Sequence, residues 1–265
     1  MTRGTTCVTS LDESNRAEKI RLRLWTFSFF PQRTVLDLYA GEGNLSRLYA
    51  KGCSHLICVE KDHEVFGKLV ENMRGTESKP DLLNEDNQLF LEKVAEIPDV
   101  TFVDFDAYGC PNQQIIEFFE NYSVTRGIVV NVTDGSLLNL KRVASIDLAK
   151  HYLVNLYTQG RLARKDFDSK RALRRLLPYL QETFVHLVAA KYGFNTCFLY
   201  HAMNSSTNCT YYGFIAYPSI EVSLVGHMGW ATGKTSFIRF KSDEMTQIKN
   251  LRKKVKKDDK ESLAG

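Results

Sequence analysis

The chain contains no Cys-x-x-Cys pair: its six cysteines, Cys7, Cys53, Cys58, Cys110, Cys197 and Cys209, are scattered. That spacing excludes a zinc ribbon and offers no secreted disulfide framework, so reduced and mostly buried thiols are expected. Any run of 18 or more apolar residues is also missing, and Met1 to Ser10 is polar where a signal peptide would be apolar. The expectation is a cytoplasmic chain with no membrane contact. His186 and His201 have no cysteine or acid cluster near them in sequence and read as packed or surface histidines, leaving no metal site. A phosphate loop needs four residues between its glycines, and Gly229 to Gly233 has three, which removes an ATPase.

What is present is an ordinary globular composition, 43% apolar and 25% charged over 265 residues, enough for one generous domain. The net charge of +4 is mild, but the cations cluster at Arg16 to Arg23, Arg161 to Arg175 and Lys249 to Lys260. Three basic patches suit a polyanion such as nucleic acid, by release of its counterions, although each patch read alone is equally a solvated face.

The most informative stretch is Val35-Leu36-Asp37-Leu38-Tyr39-Ala40-Gly41-Glu42-Gly43-Asn44. An apolar run breaks at two glycines and gives way to Leu45, Leu48 and Tyr49 at helical spacing, which reads as strand, tight loop and helix. Without a Cβ, Gly41 and Gly43 can take positive φ and let a nucleotide approach the backbone. A second strand ends in Glu60 and Lys61, about 20 residues past the loop, where an acid meets ribose hydroxyls in nucleotide-binding α/β units. A dinucleotide needs a third glycine, and Ser46 or Arg47 stands there instead, so NAD is disfavoured. Glu42 would repel a phosphate but is harmless beside a cofactor carrying an amine and a sulfonium.

The run resembles motif I of the class I S-adenosylmethionine-dependent methyltransferases, an acid followed by x-x-x-Gly-x-Gly. The resemblance implies that Asp37, Tyr39, Ala40, Gly41, Gly43, Glu60 and Lys61 line a site for S-adenosyl-L-methionine. It also implies that Asp86, with Asn87 beside it, hydrogen-bonds the adenine amine. Asp86 reads independently as the N-cap of a helix beginning at Gln88, and both roles can hold.

The remaining elements support that order. A helix is expected over 13–30, with Ile20, Leu24 and Phe27 on one face and Arg16 and Arg23 off it, stopped by Pro31. Further helices are expected over 45–51, 62–73, 88–96, 112–122 and 169–192, with strands at 56–59, 82–83, 100–106 and 127–133. Phe194 to Met203 and Cys209 to Tyr217 read as an aromatic-rich hairpin. Five βα units followed by a helix and a terminal antiparallel hairpin give the expected fold: an α/β, Rossmann-like class I methyltransferase sheet, mostly parallel, with helices on both faces. The expected organisation is a helical extension over 1–30, the methyltransferase domain over 31–220, a sheet-edge or flap extension over 221–245, and a basic disordered tail over 246–265.

Val103-Asp104-Phe105-Asp106-Ala107-Tyr108-Gly109-Cys110-Pro111 resembles the Asp-x-Asp-Pro-Phe/Tyr-Gly-Ser-Pro segment of the tRNA guanine-N2 dimethyltransferase family, with Ala107 in place of the stiffening proline. That resemblance implies methyl transfer to an exocyclic amine. Such a nitrogen delocalises its lone pair into the base, so acceptors must draw on both N–H groups to turn the lone pair toward the methyl donor. The Asp106 carboxylate and the Ala107 carbonyl would be those acceptors, Tyr108 would stack the base, and Asp106 could take the released proton. Asp104 joins the cofactor set. The chain is shorter than that family's, leaving its basic helices and tail to hold the nucleic acid, RNA rather than DNA. A small-molecule or protein N-methyltransferase, and a decayed RNA-binding module, are the alternative readings; nothing in the sequence speaks to oligomeric state.

Overall fold

The computed structural model describes residues 11–76, 78–123, 126–136, 152, 170–204, 209–218 and 239–240. Its centre is an eight-stranded sheet of order β3-β2-β1-β4-β5-β7-β6-β8. The strands are β1 Gln32–Asp37, β2 Cys53–Val59, β3 Asp81–Leu83, β4 Val100–Asp106, β5 Ile128–Asp134, β6 Phe194–Asn204, β7 Cys209–Pro218 and the two-residue β8 Arg239–Phe240. β1 to β5 run parallel, β7 is antiparallel to both β5 and β6, and β8 pairs parallel with β6. The helices are α1 Leu11–Phe27, α2 Ser46–Tyr49, α3 His63–Met73, α4 Asn87–Leu91, α5 Asn112–Asn121 and α6 Lys170–Lys191. This is the expected mostly parallel sheet with an antiparallel hairpin at its end. Among the described residues, no helix is long and apolar enough to cross a membrane.

β1, β4 and β5 are covered on both faces, which is why they read as unbroken apolar runs rather than alternating ones. Residues of opposite parity enter two cores. Leu36, Val103, Phe105 and Val130 pack with Phe90 of α4, Ile115 and Phe118 of α5, and Phe184 of α6. Val35, Leu56, Phe102 and Val129 pack with Leu22 of α1, Tyr49 of α2, and Leu69 and Met73 of α3. β2 begins three residues before the expected Leu56, because Cys53 pairs with Gln32 and backbone pairing carries the strand through the polar Ser54 and His55. The helix expected over 88–96 stops at Leu91, and a 3-10 turn, Val94–Glu96, follows it.

α1 differs from expectation in the face it buries. Leu22, Arg23 and Thr26 point into the protein, whereas Leu24 and Trp25 are more than a third exposed. Residues 19, 22, 23 and 26 share a face at helical spacing, so the polar side chains among them mark the buried stripe. Arg23 belongs to the interior and not to a surface patch.

In the hairpin, Gly213 lies opposite Tyr200 on one side and Asn131 on the other. A Cβ at Gly213 would overlap the Tyr200 ring and stand 3.0 Å from Asn131 Oδ1. Tyr200 cannot yield, being fully buried with its hydroxyl donating to Asn131 Oδ1 at 2.7 Å. Gly213→Ala is therefore expected to lower unfolding stability by about 1–3 kcal/mol, the usual cost of overpacking. Gly127→Ala is the control: its added methyl would meet nothing nearer than Ile215 at 3.8 Å. Denaturant titration of both variants checks this, and an equal effect of the two would refute the close-approach role.

Candidate functional site

The sheet register brings the acidic strand ends together. Asp37 of β1 lies opposite Asp104 of β4, and Asp104 and Asp106 lie opposite Asn131 and Thr133 of β5. Since alternate residues share a face, Asp37, Asp104 and Asp106 all project toward the α1 and α2 side.

The loop after β1 is shaped by its glycines. Gly41 and Gly43 have φ of +55° and +83°. A Cβ at Gly43 would lie 2.8 Å from the Leu69 side chain, so the loop packs directly on α3. At Gly41 the nearest atom to such a Cβ would be Tyr39 O at 4.0 Å, which leaves its surroundings open. Glu60 closes onto the loop: Oε2 accepts the Gly41 amide at 3.0 Å and Oε1 the Asp62 amide at 2.8 Å. Glu42 turns away to Lys68 at 2.7 Å. Asp37 is buried and accepts Ser46 Oγ at 2.7 Å, so it acts on the loop through Ser46 rather than facing a ligand.

Beyond β3, Asp86 caps α4 by accepting the Gln88 amide at 3.0 Å, and Lys61 Nζ lies 3.5 Å from its other oxygen. Tyr39 is partly buried beside Asn87, and its burial pushes the phenol up to about 12. Ala40 and Ala107 are buried, while the Tyr108 ring is fully exposed at 102%. A groove of ≈ 470 Å³ runs from Asp86 along Gln88, Leu89, Glu92, Glu117 and Asn121; Asp106 does not line it.

The feature that sequence reading missed is α1's grip on the strand ends. Arg23 Nε donates to Asp104 Oδ2 at 2.7 Å, and its Nη2 donates to Thr133 Oγ1 at 2.8 Å and lies 3.5 Å from Asp106 Oδ1. Tyr49 from α2 donates to the same Asp104 oxygen at 2.6 Å. Asp106 accepts Thr133 Oγ1 at 2.6 Å on Oδ1 and Lys19 Nζ at 2.7 Å on Oδ2. Asp104 is thus wholly internal, away from any ligand, and Asp106 alone of the β4 pair keeps some exposure. The other two basic clusters fall outside the residues whose side chains are described.

The segment after β4 is latched to the end of β5. Gly109 O accepts the Gly135 amide at 2.7 Å, and a Cβ on Gly135 would come within 2.9 Å of Tyr108 O, so this contact needs glycine. Behind it Asp134 accepts Tyr152 Oη at 2.5 Å and Gln181 Nε2 at 2.7 Å, and also the Ser136 hydroxyl. Gln181 in turn reaches His201 Nε2 at 2.6 Å, which makes His201 a packed core histidine. Burial lifts the Cys110 thiol well above its usual range, as befits an unreactive cysteine.

Proton affinity separates the three carboxyls. Burial pushes Asp37 up to about 7, helped by the negative charge of Asp104. Burial also raises Asp104, and the Arg23 guanidinium offsets this only in part. At Asp106 burial is outweighed by Arg23 and Lys19, which hold its carboxyl below the usual range. Arg23 keeps its charge: burial alone would lower its pKa, but Asp104 and Asp106 lift it well above the ordinary value.

A family model described as conserved hypothetical protein 95 matches residues 14–119. None of the curated proteins matches the sequence. Among solved structures, Trm1 from Pyrococcus horikoshii, determined in complex with S-adenosyl-L-methionine, is 13% identical; the match covers 80% of this chain and 56% of that one, with a TM-score of 0.51. TYW2 from Pyrococcus horikoshii, in complex with MeSAdo, is 17% identical over 76% of this chain and 62% of that one, with a TM-score of 0.46. The chain thus spans less than two thirds of either protein. The likeness to Trm1 shows the fold: a Rossmann-like α/β sheet, mostly parallel, with an antiparallel hairpin at its end.

A carboxyl whose folded-state pKa exceeds its unfolded value binds its proton more tightly in the native protein. Stability therefore falls as pH rises from about 4 through 7 at Asp37. At 1.36 kcal/mol per pH unit, the loss is about 4 kcal/mol when complete. Asp37→Asn keeps an acceptor for Ser46 and removes this loss. Its stability advantage over wild type is expected to be small near pH 4 and to grow until about pH 8, as followed by denaturant melts; an advantage that does not change with pH would contradict the assignment.

Proposed function

We propose that the protein transfers a methyl group from S-adenosyl-L-methionine to an exocyclic amine of a base in RNA, with N2 of a tRNA guanine favoured. The observation that carries this reading is the juxtaposition, at the carboxyl ends of neighbouring parallel strands, of the Gly41–Glu60 cradle and the partly exposed Asp106. Ligands of open α/β sheets bind over those ends.

The residues present fit the donor. Gly41 offers an open backbone at positive φ, Glu60 offers a carboxylate for ribose hydroxyls, and Asp86 with Asn87 would accept the adenine amine. Asp37 would hold the loop through Ser46. Lys61, beside Asp86, and Tyr39, beside Asn87, would flank the adenine end, and Ala40 and Gly43 would form the loop's floor. When bound, S-adenosyl-L-methionine supplies an electrophilic methyl carbon whose sulfur leaves with the bonding electron pair.

On the acceptor side, Asp106 and the Ala107 carbonyl would draw on the two amine hydrogens, and the exposed Tyr108 would lie against the base. Because cations hold its pKa down, Asp106 is a better hydrogen-bond acceptor than proton store. That suffices, since the methylated ammonium of an aniline-like nitrogen is itself strongly acidic. The latch from Gly135 to Gly109 would give the segment the stiffness that Ala107 does not. A base must leave its stack to reach this site, which favours single-stranded or loop positions.

A second reading, a decayed RNA-binding module of the same fold, is favoured by one specific observation: both Asp106 oxygens are already engaged. The test incubates the full chain with methyl-labelled S-adenosyl-L-methionine and bulk tRNA, other RNA or DNA, followed by mass spectrometry of the nucleosides. Labelled RNA is expected with the wild type, and a loss of at least about 100-fold with Asp106→Ala. RNA that binds tightly yet takes up no label would favour the decayed module; label in protein or small molecules alone would end the RNA assignment.

A further inference from the structure

The two oxygens of Asp106 are not equivalent. Oδ1 faces inward, bound by Thr133 and approached by Arg23. Among the described residues, Oδ2 receives only Lys19 Nζ, at 2.7 Å. The Lys19 and Asp106 side chains are 23% and 15% exposed, against 0% for Arg23. Arg23 is held on three sides and has no route to water. Lys19 sits on a flexible four-carbon stem and can swing its ammonium into solvent by changing rotamers. The oxygen that an incoming amine needs is therefore covered by a cation able to leave.

The pair is mostly buried, so Lys19 leaves only in exchange for another anion, while the Arg23 guanidinium stays behind to compensate the carboxylate. A replacement anion would open Asp106 if it arrived together with the amine. A base within a polynucleotide brings its own phosphates, and a free nucleoside or an amino-acid side chain brings none. The fully exposed Tyr108 ring, two residues beyond Asp106, gives that base a surface to stack on, which an acidic protein partner would not require.

We propose that Lys19 is a specificity-determining residue: it covers Asp106 until a nucleic-acid phosphate takes up its ammonium, so the acceptor opens to an amine delivered on a polynucleotide and stays closed to one without phosphate. The amine-accepting role of Asp106 rests on the function proposed above; the exchange of Lys19 between carboxylate and phosphate does not.

The test is a binding cycle with a fluorescein-labelled tRNA transcript and the full chain as wild type, Lys19→Gln, Asp106→Asn and the double variant, titrated at several salt concentrations. The plot of log affinity against log salt is expected to be shallower by about 0.7–0.9 for Lys19→Gln, one phosphate contact fewer. Asp106→Asn is expected to tighten binding about fivefold more when Lys19 is present than when it is replaced, because only then does it release an ammonium. Equal slopes together with additive effects overturn the proposal, whatever any transfer assay gives. Should Asp106→Asn not fold, the Lys19→Gln slope decides alone. In the methyl-transfer assay, the preference of Lys19→Gln for tRNA over guanosine, as a ratio of kcat/KM values, is expected to fall at least tenfold. Absence of all transfer by the wild type would refute the proposed function and leave the binding cycle to judge Lys19.

Discussion

Arg23 is the constraint on which the functional end of the molecule depends. It is a fully buried guanidinium whose hydrogen bonds tie α1 to β4 through Asp104 and to β5 through Thr133. Removing one partner of such a pair strands the other charge in a low-dielectric interior, at a typical cost of 3–5 kcal/mol. The pair is weaker evidence of net stability, since an apolar replacement of both partners can do as well. What it does determine is position. With Arg23 in place, α1 has one seat, and Lys19, one turn earlier, is brought to Asp106.

The same guanidinium divides the work of two aspartates only two residues apart. Asp104 is consumed by structure, sharing one oxygen between Arg23 and Tyr49. Asp106, at the carboxyl end of β4, keeps some exposure to solvent and is kept ionised by the cations around it. Asp37 completes the set from β1, where burial and the nearby Asp104 charge leave it poised to hold a proton near neutrality while it steadies the loop through Ser46. Three carboxyls of one chemistry thus acquire three duties from their depth and their neighbours.

Much of the fold was legible because its signals are local. The unbroken apolar run of β4 gave Val100–Asp106 to the residue, and the two glycines after β1 located a loop whose φ angles do require glycine. Glu60 was placed beside that loop by its distance in sequence alone, and it bonds the Gly41 amide. What was not legible depends on contacts between distant residues. Arg23 meets a partner 81 positions away, and Lys19 one 87 positions away, so both read as surface cations on a helix whose polar stripe in fact faces inward. The latch formed by Gly135 and the Asp134–Gln181–His201 cluster behind it join separate elements in the same way. Periodicity identifies which face of a helix is apolar; it does not reveal a face buried by paired charges.

Calorimetric titration of the full chain with S-adenosyl-L-methionine tests the central claim, that the glycine loop and the neighbouring strand-end acids form a site for this donor. One binding site is predicted in the wild type, weakened at least tenfold in Glu60→Ala and unchanged in Lys19→Gln. The absence of binding to the wild type, or binding indifferent to Glu60, would contradict it.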